Sequence, residues 1–242
     1  MNTNLLITAH SGAGKTEPNS MEYLRHAYLL SPDIIEVDVR KTLDDKVVLS
    51  HNPSLDGCPL PIGNMHYAQL LAYKPGLLLL ESALEFCFDH DIIVNLDIKE
   101  YGVVEAVCAV IAARGCLSQC IFSGCKEPEV SRIHELLPLA KVLYNADSWD
   151  KGLYPNYTSY ACSMIEKAVN AETFALNINC EYVQEELFNL ARKKLLPIFV
   201  WTVEKRSQMR MIIGFGAASL TTKNIPLLRE ELAYLEGKLS EL

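Results

Sequence analysis

A (β/α)8 barrel, the TIM-barrel form of the α/β class, is the fold this chain predicts, and three observations point to it. Apolar strand-like runs alternate with amphipathic helical patterns from end to end, which implies parallel strands joined by helical crossovers. The chemically unusual residues fall at or just past the C-terminal ends of those strands, the face on which such barrels build their sites. No Pro/Gly/Ser-rich linker, charge block or low-complexity tract divides the 242 residues, so 1–242 reads as one domain. An open doubly wound sheet is the other closure of the same alternation, and the position of the polar residues favours the barrel.

The elements follow in order. Residues 5–9 form a first apolar run ending at His10, and a helical pattern occupies 20–30. The second strand, 34–39, reads Ile-Ile-Glu-Val-Asp-Val, and a short hairpin strand at 46–50 leads into His51. Residues 52–80 are a longer excursion with Asn/Asp turn signals and several prolines, placed to act as a flap over the barrel mouth. Helix 80–89 precedes strand 92–98, helix 103–114 precedes strand 119–123, and helix 128–136 precedes strand 140–144. Helix 157–169 then leads to strand 173–178, helix 182–193 to strand 197–203, and helix 205–215 to strand 217–221. A last helix is expected over 226–239.

Composition excludes several classes. A net charge of −8 with no basic patch argues against nucleic acid as a partner. No apolar stretch approaches membrane-spanning length, and the opening Met1-Asn2-Thr3-Asn4 lacks the basic region of a secretory leader, so a cytoplasmic protein is expected. Eight cysteines without zinc-type pairing read as free thiols, several on apolar helix faces, rather than as disulfides.

Chemistry is concentrated in a few residues. Strand alternation points Glu36 and Asp38 to one face while Ile35, Val37 and Val39 pack on the other. Two anions sharing a face suit a hard divalent cation, although a polar barrel mouth without metal has the same pattern. His10 and His51 bracket the pair in sequence, and imidazoles beside a metal suggest metal-assisted phosphoryl chemistry. Asn95, Asp97 and Lys99 share a second strand face; Asp97 reads as a third oxygen ligand and Lys99 as a cation for phosphate oxygens, or the two as an inward ion pair. Trp201 reads as an apolar wall for a substrate's carbon skeleton or as core packing. The run Ala9-His10-Ser11-Gly12-Ala13-Gly14-Lys15-Thr16 looks like a relaxed phosphate-binding loop, but Pro18 falls in the first turn of the helix such a loop requires. Its glycines remain suited to cradling one phosphate. His26, His66, His90 and His134 have no partners in sequence and read as ordinary residues.

An ordered set of segments resembles the glycerophosphodiester phosphodiesterases: Ile7-Thr8-Ala9-His10, Asn19-Ser20, Ile35-Glu36-Val37-Asp38-Val39-Arg40, Val48-Leu49-Ser50-His51-Asn52-Pro53, Asn95-Leu96-Asp97-Ile98-Lys99, Val200-Trp201-Thr202-Val203 and Leu220-Thr221-Thr222. The resemblance implies a β/α barrel that cleaves a glycerophosphodiester to glycerol 3-phosphate and an alcohol. It implies Mg²⁺ or Ca²⁺ bound by Glu36, Asp38 and Asp97, with His10 and His51 as general acid and base. Lys99 would stabilise phosphoryl charge, and Trp201 would contact the glycerol. Four departures stand out: Ser11 where the family has Arg, Pro18 where it has Glu, Asp97 where Glu is usual, and Thr222 where Asp is common. Ser11 and Lys15 are then the loop residues expected against the substrate, Lys15 standing in for the lost guanidinium as a point charge without its fork geometry. Sphingomyelinase D-like lysophospholipases, which release a cyclic phosphate, share the two-histidine barrel, the aspartate ligand and the missing Arg, and are the alternative enzyme reading. A non-catalytic phosphoglycerol-binding barrel is the alternative outside catalysis.

Overall fold

The computed structural model describes residues 5–239; residues 1–4, on which the leader reading rests, and residues 240–242 lie outside that range. Nine strands occur among the described residues: β1 (Leu6–Ala9), β2 (Ile34–Lys41), β3 (Val47–Leu49), β4 (Ile93–Ile98), β5 (Cys120–Cys125), β6 (Lys141–Asn145), β7 (Ala175–Asn179), β8 (Ile198–Trp201) and β9 (Ser219–Thr222). All pair in parallel except β3, which forms an antiparallel hairpin on β2. The order β1-β9-β8-β7-β6-β5-β4-β2 closes through a β1–β2 pairing, so eight strands form a complete barrel with no free edge.

Helices α1 (Met21–Leu29), α2 (Tyr67–Leu70), α3 (Leu80–Asp89), α4 (Val104–Arg114), α5 (Glu127–Leu136), α6 (Tyr157–Asn170), α7 (Glu185–Arg192), α8 (Arg206–Phe215) and α9 (Ile225–Leu239) accompany the strands. Because helices cover the sheet, strand residues are buried on both faces. In β2 the outward residues Ile35, Val37 and Val39 join Leu96 and Ile98 of β4 in the core beneath the helices. No helix among the described residues is long and apolar enough to cross a membrane.

Two local features depart from the sequence pattern. The helix expected over 182–193 begins at Glu185, because Asn179 accepts a hydrogen bond from the Glu181 N–H (2.9 Å) and closes a 3-10 turn over Cys180–Tyr182 first. The 52–80 excursion is not irregular throughout. It contains the 3-10 turn Ile62–Asn64 and α2, and it buries a small cluster of its own from Leu55, Ile62, Met65, Leu70 and Leu77 against Val48. That cluster fixes the excursion beside the mouth. All eight cysteines are unpaired.

Candidate active site

The barrel interior changes chemistry along its axis. Its floor is apolar, made by Ile34, Ile121, Leu143, Ala175 and Phe199 with Leu6, Ile93 and Ala218 against them. Two residues further along most of the strands, the same face carries Thr8, Glu36, Asn95, Ser123, Asn145, Asn177, Trp201 and Thr221. These residues line a cavity of about 290 Å³ together with His10, His51, Asp97 and Lys99.

Register sets the acidic group. Asp38 pairs with Asp97 and Glu36 with Asn95 across β2 and β4, so oxygen atoms of Glu36, Asp38 and Asp97 fall within 4.8 Å of one another. Each carboxylate is braced. The Ser11 N–H donates to Glu36 Oε2 (2.9 Å), and the Ser123 hydroxyl donates to Asp97 Oδ1 (2.8 Å). Asn19 donates from Nδ2 to Asp38 Oδ2 (2.7 Å), while its Oδ1 accepts from the Asp38 N–H (3.0 Å). The Lys99 ammonium joins Asp38 Oδ1 at 2.7 Å and also pairs with Asp97. Burial disfavours the charged lysine, but the Asp97 and Asp38 charges and their hydrogen bonds outweigh it and raise its pKa.

Three carboxylates against one ammonium leave this group short of positive charge. Burial, reinforced by the charges of Asp38 and Asp97, pushes Glu36 well above the usual carboxylate range. An all-oxygen set of this density, poorly neutralised and preorganised by four hydrogen-bonding neighbours, fits a hard divalent cation.

Both histidines line the cavity that Glu36 and Asp97 also line. His10 follows β1, its N–H bonded to the Thr222 carbonyl (3.0 Å). The Tyr23 hydroxyl, on α1, lies 2.7 Å from the Ala9 carbonyl and 2.9 Å from that of Glu36, which ties the end of β1 to β2. Ser20 caps α1 by accepting from the Tyr23 N–H (3.1 Å), so the local sequence fixes where that hydroxyl reaches. Burial first, and then the Lys223 charge, lower the His10 pKa to about 4, and its imidazole is neutral at physiological pH. His51 follows β3 and is exposed. Arg40 donates to the His51 carbonyl from Nε (3.2 Å) and Nη2 (2.9 Å) and is itself held by Glu100 at 3.0 Å.

Both histidines also line a second cavity, about 550 Å³, with Ser11, Glu17, Pro18, Asn19, Asp38, Ser50, Asn52, Ser54, Leu55, Asp56, Tyr73, Lys74 and Lys223. The two cavities therefore meet at His10 and His51. Residues 52, 54–56, 73 and 74 of the excursion supply part of the second wall.

Of the residues singled out from sequence, His10, His51, Glu36, Asp38, Asp97, Lys99 and Trp201 are brought together at one mouth. Ser11 is buried at the edge of the second cavity. Its hydroxyl accepts from the Asn19 N–H (2.9 Å), so it steadies the asparagine that holds Asp38. Lys15 is exposed and lines neither cavity. Gly12, Gly14 and Lys15 take left-handed conformations, and among the described residues no α-helix starts before Met21. Asn19, Arg40, Ser123 and Lys223 were not evident as site residues. For Lys223 a signal existed, because the alternation Ser219, Thr221, Lys223 continues the inward face of β9.

Gly124 is a further constraint. Its φ of +74° disfavours any side chain, and an added Cβ would overlap the Ile98 carbonyl and stand 2.8 Å from Asp97 Oδ1. Gly124→Ala is therefore expected to destabilise the fold by roughly 1–3 kcal/mol and to displace Asp97. Thermal unfolding and metal titration of the variant check both effects; unchanged values in each would show that β4 and β5 yield freely there.

Residues 10–227 match the glycerophosphoryl diester phosphodiesterase family, a span that starts at His10 and takes in every residue of the acidic group. The chain belongs to this family. A glycerophosphodiester phosphodiesterase of Caldanaerobacter subterraneus subsp. tengcongensis is 23% identical over 240 residues, covering 90% of this chain and 93% of that protein. Among solved structures, a glycerophosphodiester phosphodiesterase from Parabacteroides distasonis is similar with a TM-score of 0.83 and 18% identity, over 98% of this chain and 100% of that one. An Oleispira antarctica phosphodiesterase, solved in complex with the product sn-glycerol-3-phosphate, is similar with a TM-score of 0.77 and 17% identity, over 95% and 96% of the two chains. The structural likenesses carry the barrel fold. The family match makes this phosphodiesterase-family chain an enzyme of the phosphoric diester hydrolase class.

Proposed function

We propose that this chain hydrolyses glycerophosphodiesters to glycerol 3-phosphate and an alcohol, with His10 and His51 as the proton-transferring pair. The observation that carries the reading is the meeting of two cavities at the two histidines, beside three clustered carboxylates. A phosphodiester has two arms, and a site with a compartment on each side of its proton-transfer groups suits such a substrate. The first compartment suits the glycerol. Three buried polar atoms of its lining, His10 Nδ1, Asn95 Oδ1 and Trp201 Nε1, have no partner within the protein, and a polyol offers hydroxyls to all three. Trp201 and the apolar floor fit its carbon skeleton. The second, larger compartment then takes the leaving alcohol.

Glu36, Asp38 and Asp97 would hold a divalent ion, Mg²⁺ or Ca²⁺, which when bound polarises oxygen and offsets phosphate charge. The protein's own groups do the rest. His10, neutral at physiological pH, is the side chain prepared to accept a proton from the glycerol hydroxyl as it attacks phosphorus, and a water then opens the cyclic phosphate so formed to glycerol 3-phosphate. His51, facing the open compartment with its backbone fixed by Arg40, gives a proton to the departing alcohol. Lys99 neutralises charge among the carboxylates. The eight unpaired thiols suit a reducing compartment such as the cytoplasm.

If His10 accepts the proton, the acid limb of kcat/KM lies near pH 4 rather than near the ordinary histidine value. The base form of a group with a lowered pKa persists down to that pKa and is lost below it. A pH–rate profile with its acid limb at 6 to 7, the range about an unperturbed histidine, would assign that limb to another group. The activity itself is tested by phosphorus NMR with glycerophosphocholine and lysophosphatidylcholine, with Mg²⁺ or Ca²⁺ and then with excess chelator. Chelator-sensitive glycerol 3-phosphate is the expected product. A cyclic phosphate from the lysolipid would move the chain to the sphingomyelinase D-like reaction, for which Asp97 and Ser11 speak. Spectra unchanged under all conditions would leave a binding barrel.

A further inference from the structure

We propose that Lys223 is the second phosphate-binding cation of this site, taking the charge that the loop after His10 does not supply. Resting on the phosphodiesterase reading, the assignment follows from which cations remain available at the mouth. Lys99 is committed to Asp38 and Asp97. Lys74 reaches the second cavity but is paired with Glu17 at 3.1 Å. Arg40 is held by Glu100 and the His51 carbonyl. Ser11 carries no charge, and its hydroxyl is occupied by the Asn19 N–H. Lys15 lies outside both cavities. Among the described residues that line the two cavities, Lys223 is the one cation with no carboxylate in ion-pair range, and it lines the second cavity together with His10 and His51.

Its place in the fold is determined rather than incidental. Strand parity carries the inward face of β9 from Ser219 through Thr221 to position 223, beside His10 on the neighbouring β1. The backbone there is fixed on both sides. The Lys223 N–H donates to Glu204 Oε1 (2.8 Å), and its carbonyl accepts from the Gly14 N–H (3.3 Å). The side chain starts from a fixed rim, is exposed, and lines the second cavity.

Charge explains the need. With all three ionised, as a bound divalent ion would require, Glu36, Asp38 and Asp97 carry three negative charges against one positive on Lys99, and the ion would bring the group to neutrality. A phosphodiester monoanion, and still more a phosphate monoester dianion product, then requires one further cation in a chain of net charge −8.

The test uses Lys223→Met and Lys223→Arg in the intact protein. Titration calorimetry with glycerol 3-phosphate and with inorganic phosphate is read beside kcat and KM for a glycerophosphodiester. The assignment expects Lys223→Met to weaken glycerol 3-phosphate binding and to lower kcat/KM, each about 10- to 100-fold. It also expects Lys223→Arg to recover most of both, and the thermal shift produced by Mg²⁺ or Ca²⁺ to be unchanged. A merely structural lysine would lower melting temperature without moving phosphate affinity. Phosphate affinity and kcat/KM within twofold of the parent in Lys223→Met would overturn the assignment while leaving the phosphodiesterase reading intact. A parent protein that binds glycerol 3-phosphate but turns over no diester, with binding lost in Lys223→Met, would sink that reading and support the cation site. A parent protein that binds neither phosphate species would overturn both.

Discussion

Replacing His10 with alanine is expected to lower kcat by about 10²- to 10⁴-fold while the protein stays folded. The imidazole stands where two cavities meet beside the acidic group, and among the described residues only His10 and His51 line both cavities. Loss of the ring costs little stability, because its Nδ1 has no hydrogen-bond partner to strand. The connection between β1 and β9 there runs through the His10 N–H, which alanine retains. His51→Ala is expected to behave similarly, since the Arg40 bonds go to the backbone carbonyl rather than to the ring. Groups that act as one unit are not additive, so the double variant should be little worse than either single one. Single-turnover assays and thermal unfolding on all three proteins check this. Parent-like rates in either single variant would remove that histidine from the proton-transfer pair.

The second large effect concerns the acidic group. Asp97→Asn should shift the metal titration of activity by 10-fold or more, taking the 10- to 100-fold range seen for groups that only orient ligands as the lower guide. Its signature is opposite in the presence and absence of metal. Without metal, one fewer anion beside Glu36 and Asp38 relieves repulsion that raises the Glu36 pKa, so the variant should unfold no earlier than its parent. Lys99 keeps its 2.7 Å pair with Asp38. With Mg²⁺ or Ca²⁺, the parent should gain melting temperature and the variant much less. Equal metal-induced shifts in the two proteins would place Asp97 outside the ligand set.

The barrel and the inward placement of the acidic residues were legible from the chain because both follow from short-range rules. Strand parity needs only neighbouring residues, and it placed Glu36 with Asp38 and Asp97 with Lys99 on inward faces before any pairing was known. Register is different. That Asp38 stands beside Asp97, and not one pair further along, depends on how β2 meets β4, and this turned three acids into one cluster. The loop after His10 misled in a similar way. Its glycines and Lys15 look suited to phosphate in sequence, but left-handed backbone at 12, 14 and 15 turns the lysine to solvent.

Ser11 shows the same limit from the other side. In sequence it is a missing arginine; in the fold it is a backbone donor to Glu36 and a hydroxyl acceptor for Asn19. Which residue types face inward follows from the chain alone, since alternation and helix periodicity are local properties. Which cation at the mouth lacks a carboxylate partner, and that two cavities share two histidines, follow from closure of the barrel. Those depend on distances between strands far apart in sequence, such as β1 and β9, which meet only when the barrel closes.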